Sequence, residues 1–127
     1  MALTRDDLLK QARENLTIVS SENINALQAD GATLLDVREP GEFNLGHLPQ
    51  AVHIPRGLLE FMVGNHPALQ DPKSPLVVYC KNGGRSTLAA DLLQRMGFEN
   101  ITMLAGGFDG WSEEKREIEV PANQYQA

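Results

Sequence analysis

The stretch Leu76-Val77-Val78-Tyr79-Cys80-Lys81-Asn82-Gly83-Gly84-Arg85-Ser86 decides how the chain folds. Four consecutive apolar residues, Leu76 to Tyr79, have the length and character of a strand buried on both faces, as in a parallel sheet. From Ser86 to Met96, the residues Leu88, Ala89, Leu92, Leu93 and Met96 fall on one helical stripe, which Gly97 stops. Between strand and helix stands the only cysteine, Cys80, in a loop with two glycines. Gly83 and Gly84 accept positive φ without a Cβ penalty, so the loop can curl and aim successive N–H groups inward. The free N–H groups and positive end of the following helix add to that anion-binding concavity. Lys81 and Arg85 flank it with full charges. A thiol held there is expected to ionise below its free value of about 8.5 and to act as a nucleophile at neutral pH. A lone cysteine is more often a small buried hydrophobe, and a glycine pair alone marks a turn. Here thiol, glycines, cations and helix start coincide.

Outward from this stretch, strands and helices alternate. Thr33-Leu34-Leu35-Asp36-Val37 is an apolar strand closed by the breaker Pro40-Gly41. Thr17-Ile18-Val19, Ala51-Val52-His53-Ile54 and Ile101 to Leu104 are the remaining strand candidates. A first helix is capped by Thr4, carries Asp6 and Asp7 in its first turn, and sets Leu8, Leu9, Ala12 and Leu16 on one face. A second begins at Ser20-Ser21 and stops at Gly31. A short helix is predicted over 57–63 with Leu58, Leu59 and Met62 inward, and a last one over 108–114 after a tight turn at Gly106-Gly107. Five strands alternating with helices imply an α/β domain with a mainly parallel sheet flanked by helices on both faces. The expected organisation is an N-terminal helix over 1–16, one domain over 17–120 and a polar, frayed tail over 121–127. Ligands of such open sheets sit beyond the carboxyl ends of the strands, here the segments after Val37 and Tyr79.

Composition narrows the classes further. A chain of 127 residues makes one domain of ordinary size. Its 42% hydrophobic and 22% charged residues are normal for a globular core without disulfides. The net charge of −6 argues against nucleic acid and against anionic membranes, both of which need basic groups. No apolar run approaches the ~20 residues of a membrane span, and the acidic start lacks a signal peptide's apolar segment. A cytoplasmic protein is expected. One cysteine cannot form an internal disulfide, and His47, His53 and His66 show no paired ligand spacing, so neither a metal nor a cofactor is expected.

At these residues the sequence resembles the rhodanese family of sulfurtransferase domains, over nearly the whole chain from Ile18 to Trp111. The resemblance rests on Leu35-Asp36-Val37-Arg38-Glu39 with Glu42-Phe43, on Gly46-His47-Leu48-Pro49-Gln50-Ala51, and on Ile54-Pro55. It continues through Val78 to Ser86, Leu104-Ala105-Gly106-Gly107-Phe108 and Trp111. It implies a five-stranded parallel sheet and a ping-pong reaction in which Cys80 takes the outer sulfur of thiosulfate, expels sulfite and holds a persulfide. Cyanide or a thiol then removes that sulfur, or a protein partner accepts it. Lys81, Asn82, Gly83, Gly84, Arg85 and Ser86 would form the substrate cradle, with Lys81 and Arg85 receiving the sulfonate end of the donor. A monomer or weak dimer is expected.

Supporting residues are Asp36, Arg38 and Trp111. Asp36 and Arg38 read chiefly as an architectural ion pair at a strand end. Trp111 either covers the persulfide or belongs to the core of the last helix. His47 reads as a turn histidine bonded to backbone, Arg56 as a neighbour of the pocket, and Glu39 and Glu42 as solvated helix-start acids without chemistry. Two other classes compete with a sulfurtransferase. Cysteine phosphatases and arsenate reductases of related fold need a Cys-x-x-x-x-x-Arg loop, one residue longer than Cys80-x-x-x-x-Arg85. A non-catalytic binding module would have no use for the thiol, which this chain retains.

Overall fold

The computed structural model describes residues 2–121; of the expected frayed tail over 121–127, residues 122–127 lie outside the described residues. Strands β1 (Thr17–Val19), β2 (Thr33–Asp36), β3 (Val52–His53), β4 (Leu76–Tyr79) and β5 (Ile101–Leu104) form one sheet. Its order is β1-β5-β4-β2-β3, and every described pairing is parallel. Six α-helices accompany it among the described residues: α1 (Arg5–Arg13), α2 (Ile24–Ala29), α3 (Pro40–Leu45), α4 (Leu59–Met62), α5 (Gly84–Arg95) and α6 (Gly107–Glu113). No helix there is long and apolar enough to cross a membrane.

The strand alternation sorts the core into two layers. Leu35, Val37, Val78, Cys80 and Met103 point to one face, where Leu59, Val63 and the α5 residues Ala89, Ala90 and Leu93 cover them. Leu34, Val77, Tyr79 and Leu104 point to the other, under Ile24, Leu48 and Trp111. From β2 the chain crosses to β3 on one side, and from the adjacent β4 it crosses to β5 on the other. The crevice beyond the carboxyl ends of β2 and β4 is therefore a topological switch point, where doubly wound sheets bind ligands. Cys80 stands at its base, one residue past β4.

Several local expectations change. Pro40 does not break the chain but opens α3, where its missing N–H costs nothing. Glu39 and Glu42 form a reciprocal cap there. The short helix α4 buries Leu59 and, just after it, Val63, while Leu58 and Met62 are 49% and 41% exposed. A 3₁₀ turn over Arg56–Leu58 precedes α4 and shifts the phase of the apolar face. Helix α5 starts two residues earlier than Ser86 and leaves Met96 exposed.

At the end of β2, Asp36 makes a buried pair with Arg38, two residues on, at 2.7 Å. The Arg38 guanidinium also donates to the Gly46 carbonyl at 2.7 Å and lies 4.2 Å from the centre of the Phe108 ring. One arginine thus joins the end of β2, the turn after α3 and the start of α6. Removing the carboxylate strands a buried cation, a change that costs about 3–5 kcal/mol. Asp36→Ala is expected to lose that much stability in urea unfolding, whereas Glu60→Ala, which removes only a partly exposed partner of Arg56, stays within about 1 kcal/mol of wild type.

Candidate active site

Helix α5 has no side-chain cap of the usual kind, because its N-cap is Gly83 in the left-handed region at φ 118°. The sulfur of Cys80 does that work. Sγ accepts from the Gly83 N–H at 3.1 Å and from the Ser86 N–H, the third residue of the helix, at 3.4 Å. Ser86 Oγ lies 3.5 Å from Sγ and donates to the Gly83 carbonyl at 3.2 Å. Thr87 Oγ1 donates to the same carbonyl at 2.6 Å, so the turn is closed from inside. Only Gly83 of the glycine pair uses a positive φ; Gly84 opens the helix in ordinary geometry.

Cys80 is fully buried. Burial pushes its thiol pKa up, but the Ser86 hydroxyl and the N–H groups of Ser86, Gly83 and Asn82 favour the thiolate more, and the net direction is downward. A hydroxyl rotor can turn from the Gly83 carbonyl to the sulfur once the thiol loses its proton. The cradle is thus made of neutral dipoles.

A second element fixes where those dipoles point. The first N–H groups of α6 reach back to the loop: Phe108 donates to the Cys80 carbonyl at 2.8 Å and Asp109 to the Lys81 carbonyl at 3.0 Å. This approach is possible because Gly107 has no side chain. A Cβ there would stand 2.6 Å from the Cys80 oxygen and 2.7 Å from that of Lys81, and its φ of 58° is already left-handed. The Gly106-Gly107 turn was legible in the sequence; its role as a clamp on the cysteine loop was not, because the partners are backbone atoms.

The model of the rhodanese-like domain matches residues 20–114. The chain belongs to the rhodanese-like domain family. It is 34% identical over 93 residues to the thiosulfate sulfurtransferase GlpE of Pseudomonas syringae, covering 73% of this chain and 84% of that protein. A human single-domain sulfurtransferase superposes with a TM-score of 0.71 at 28% identity, covering 79% of this chain and 98% of that one. A Rhodopseudomonas palustris protein of unknown function, described as a possible tyrosine phosphatase, superposes with a TM-score of 0.84 at 28% identity, covering 94% and 96%. The matched family, the Pseudomonas relative and the human structure agree on a sulfurtransferase of rhodanese type.

Within this rhodanese domain, the loop residues Cys80 to Ser86 stand together as the sequence suggested, but the cations are already engaged. Arg85 holds Glu42 through two bonds of 2.7 and 3.1 Å. Lys81 meets Asp109 at 2.8 Å on the exposed rim. Glu42, read as a solvated acid, is instead the partner of Arg85, whose hydrogen bond takes its carboxyl down to about 2. Trp111 is a core residue: it packs under the opposite sheet face from Cys80 and donates its indole N–H to the Glu117 carbonyl at 2.7 Å. His47 bonds the Leu48 carbonyl through Nδ1 and stacks on Phe43, as a turn histidine would. Arg56 pairs with Glu60 beside α1 and α5, not beside the cysteine loop.

Two measurements follow from this electrostatic layout. In alkylation against pH, Cys80 should react with a midpoint below that of a free thiol. Ser86→Ala should raise that midpoint by more than Lys81→Ala, because the hydroxyl faces the sulfur and the ammonium faces Asp109. The second concerns Glu42, whose folded pKa of about 2 lies below its ordinary 4.5. A depressed acid stabilises the fold above its unfolded pKa and loses that contribution as pH falls through the folded one. The stability gap between wild type and Glu42→Gln should therefore be full at pH 6 and shrink steadily between about 4.5 and 2, as urea midpoints at stepped pH would record.

Proposed function

We propose that this rhodanese domain takes sulfane sulfur from thiosulfate, carries it as a persulfide on Cys80, and delivers it to cyanide or a thiol. The Cys80 thiolate attacks the outer sulfur of the donor. One S–S bond forms as the donor's own S–S bond breaks, and sulfite leaves with the electron pair. The persulfide is then attacked at its outer sulfur by the acceptor, and Cys80 departs as the thiolate it was. No net oxidation occurs, and Cys80 acts once as nucleophile and once as leaving group.

The observation that carries this reading is the convergence of the Gly83 and Ser86 N–H groups on a single atom, at 3.1 and 3.4 Å from Sγ. A ring closed on one sulfur suits a thiolate or a persulfide. A phosphoryl group brings three oxygens and needs a wider set of donors, which the longer loop of the phosphatases supplies. Thiosulfate as donor is supported by the name of the Pseudomonas relative. A protein partner is a further acceptor of the same persulfide. The loop residues Lys81 to Ser86 are assigned to substrate binding, with Cys80 the catalytic residue; Asp36 and Arg38 hold the frame around them.

Intact mass after incubation with thiosulfate should show a gain of one sulfur atom on the reduced protein, reversed by cyanide. Cys80→Ser should abolish both the adduct and turnover by orders of magnitude, since the loop does not activate a hydroxyl of ordinary pKa. Hydrolysis of aryl phosphates should be negligible in both proteins. A folded, reduced wild type that gains no sulfur would exclude the thiosulfate reading.

A further inference from the structure

Two clefts flank the cysteine loop, and their charges differ. The one on the α3 and α6 side, about 210 Å³, contains the carboxylates of Glu42 and Asp109 with Arg38 and Lys81. Each of those cations is paired with an acid. The other, about 250 Å³, lies between α1 and the loop and is lined by Arg5, Leu9, Asn82, Gly84, Arg85 and Leu88. It holds two guanidinium groups, an amide and two leucines, and no carboxylate lines it. Arg85 is held from behind by Glu42, so the cation left at the mouth of this cleft is the exposed Arg5, above two leucines and the Asn82 amide.

The second wall of that cleft comes from outside the matched domain. Helix α1 lies before residue 20, where the match to the family model begins. It runs alongside α5, with Gln94 near the end of α5 donating to the Asn15 carbonyl at 3.2 Å. Thr4 and Asp7 form a reciprocal capping box that fixes the helix start, so Arg5 is presented at the mouth of the cleft by an ordered turn. Its own contact, to the adjacent Asp6 at 3.3 Å, is solvent-exposed and weak.

We infer that α1 and the cysteine loop together form the acceptor site, and that the acceptor is a small organic thiol bearing a carboxylate. This rests on the persulfide reading above. The leucines offer apolar contact that a small inorganic dianion such as thiosulfate does not need, whereas an alkyl thiol does. The volume is below that of sites for drug-sized ligands, which run from about 300 Å³ upward. Arg5 at the mouth attracts the carboxylate, Leu9 and Leu88 pack on the carbon chain, and the thiolate end faces the loop. That thiolate forms an S–S bond to the outer sulfur of the persulfide. The bond to Cys80 Sγ breaks, its electron pair returns to Sγ within reach of the Gly83 and Ser86 N–H groups, and the transferred sulfur leaves as the terminal persulfide anion of the acceptor, the charge it carried on Cys80. Arg5 and Leu9 thus set acceptor specificity.

The test separates the half-reactions. Wild type, Arg5→Glu, Arg5→Lys and Leu9→Ala are loaded with thiosulfate, freed of donor, and mixed with 3-mercaptopropionate, 2-mercaptoethanol or cysteamine; loss of the persulfide is followed by mass. Comparing each variant with wild type for the same thiol cancels intrinsic thiol reactivity. Arg5→Glu should slow transfer to 3-mercaptopropionate about tenfold, leave 2-mercaptoethanol within twofold and speed cysteamine. Arg5→Lys should keep the wild-type order, and Leu9→Ala should weaken both uncharged and anionic thiols about threefold. All four should load with sulfur alike. Equal effects of Arg5→Glu on all three thiols, or none, would overturn the acceptor site while leaving the persulfide reading intact. A slowed loading step with unchanged transfer would assign the cleft to the donor instead and overturn the proposal. Failure of wild type to load at all would overturn the persulfide reading, and the acceptor site with it.

Discussion

The carbonyl oxygens of Cys80 and Lys81 are held by the first N–H groups of α6, and the geometry of the cysteine loop depends on that clamp. Once those oxygens point toward α6, the chain has to turn back through Gly83, and the following N–H groups face the sulfur. From the far side, the Gly83 carbonyl is held by Ser86, Thr87 and the first turn of α5. The loop is therefore fixed at both ends by hydrogen bonds that do not involve the sulfur. Its donors are in place before any charge develops there, which is the condition under which fixed dipoles stabilise an anion without reorganising. The missing side chain of Gly107 is what lets two backbones approach this closely.

A one-residue step along β4 separates chemistry from architecture. Tyr79 points to one face of the sheet and Cys80 to the other. The Tyr79 hydroxyl accepts from the Leu48 N–H at 3.1 Å, and burial raises the phenol pKa far above its ordinary range, so the ring stays neutral. That bond fixes the turn after α3, whose Gly46 carbonyl receives Arg38. The same strand thus anchors the frame on one face and presents the nucleophile on the other. A shift of register by one residue would exchange the two roles, and the fully buried neighbours of both faces prevent it.

What was legible in the sequence, and what was not, divides along the range of the interactions. Strand β4, the loop and α5 are contiguous, so apolar run, glycine pair and helical stripe identify them directly. The alternation of Leu34 with Leu35 and of Val77 with Val78 belongs to strands buried on both faces and reads the same way. The pairing of Arg85 with Glu42, 43 residues apart, and of Lys81 with Asp109, 28 apart, leaves no local trace. A reading of the loop alone therefore counts two free cations where the folded chain has two ion pairs. Short elements fail for another reason. Pro40 signals a break or a helix start equally well, and the cap formed by Glu39 and Glu42 decides it only in three dimensions. In α4, four residues are too few to define a phase, so the 3₁₀ turn before it sets which leucine is buried.

The pairing of those cations bears on why the cradle is neutral. Cys80 has to attack a sulfur in one half of the proposed cycle and leave from one in the other. A lower pKa makes a better leaving group and a larger thiolate fraction, but a weaker nucleophile. Bare cations against a buried sulfur would drive the pKa to the low extreme found beside charged partners. Here burial pushes upward and a small set of hydrogen bonds pushes downward, with a net lowering. The thiolate is thus favoured by neutral donors rather than bare charges, and burial opposes its over-stabilisation in attack and departure alike. With Glu42 and Asp109 neutralising the flanking charges at the rim, Arg85 and Lys81 can order the loop without over-stabilising the nucleophile beneath them.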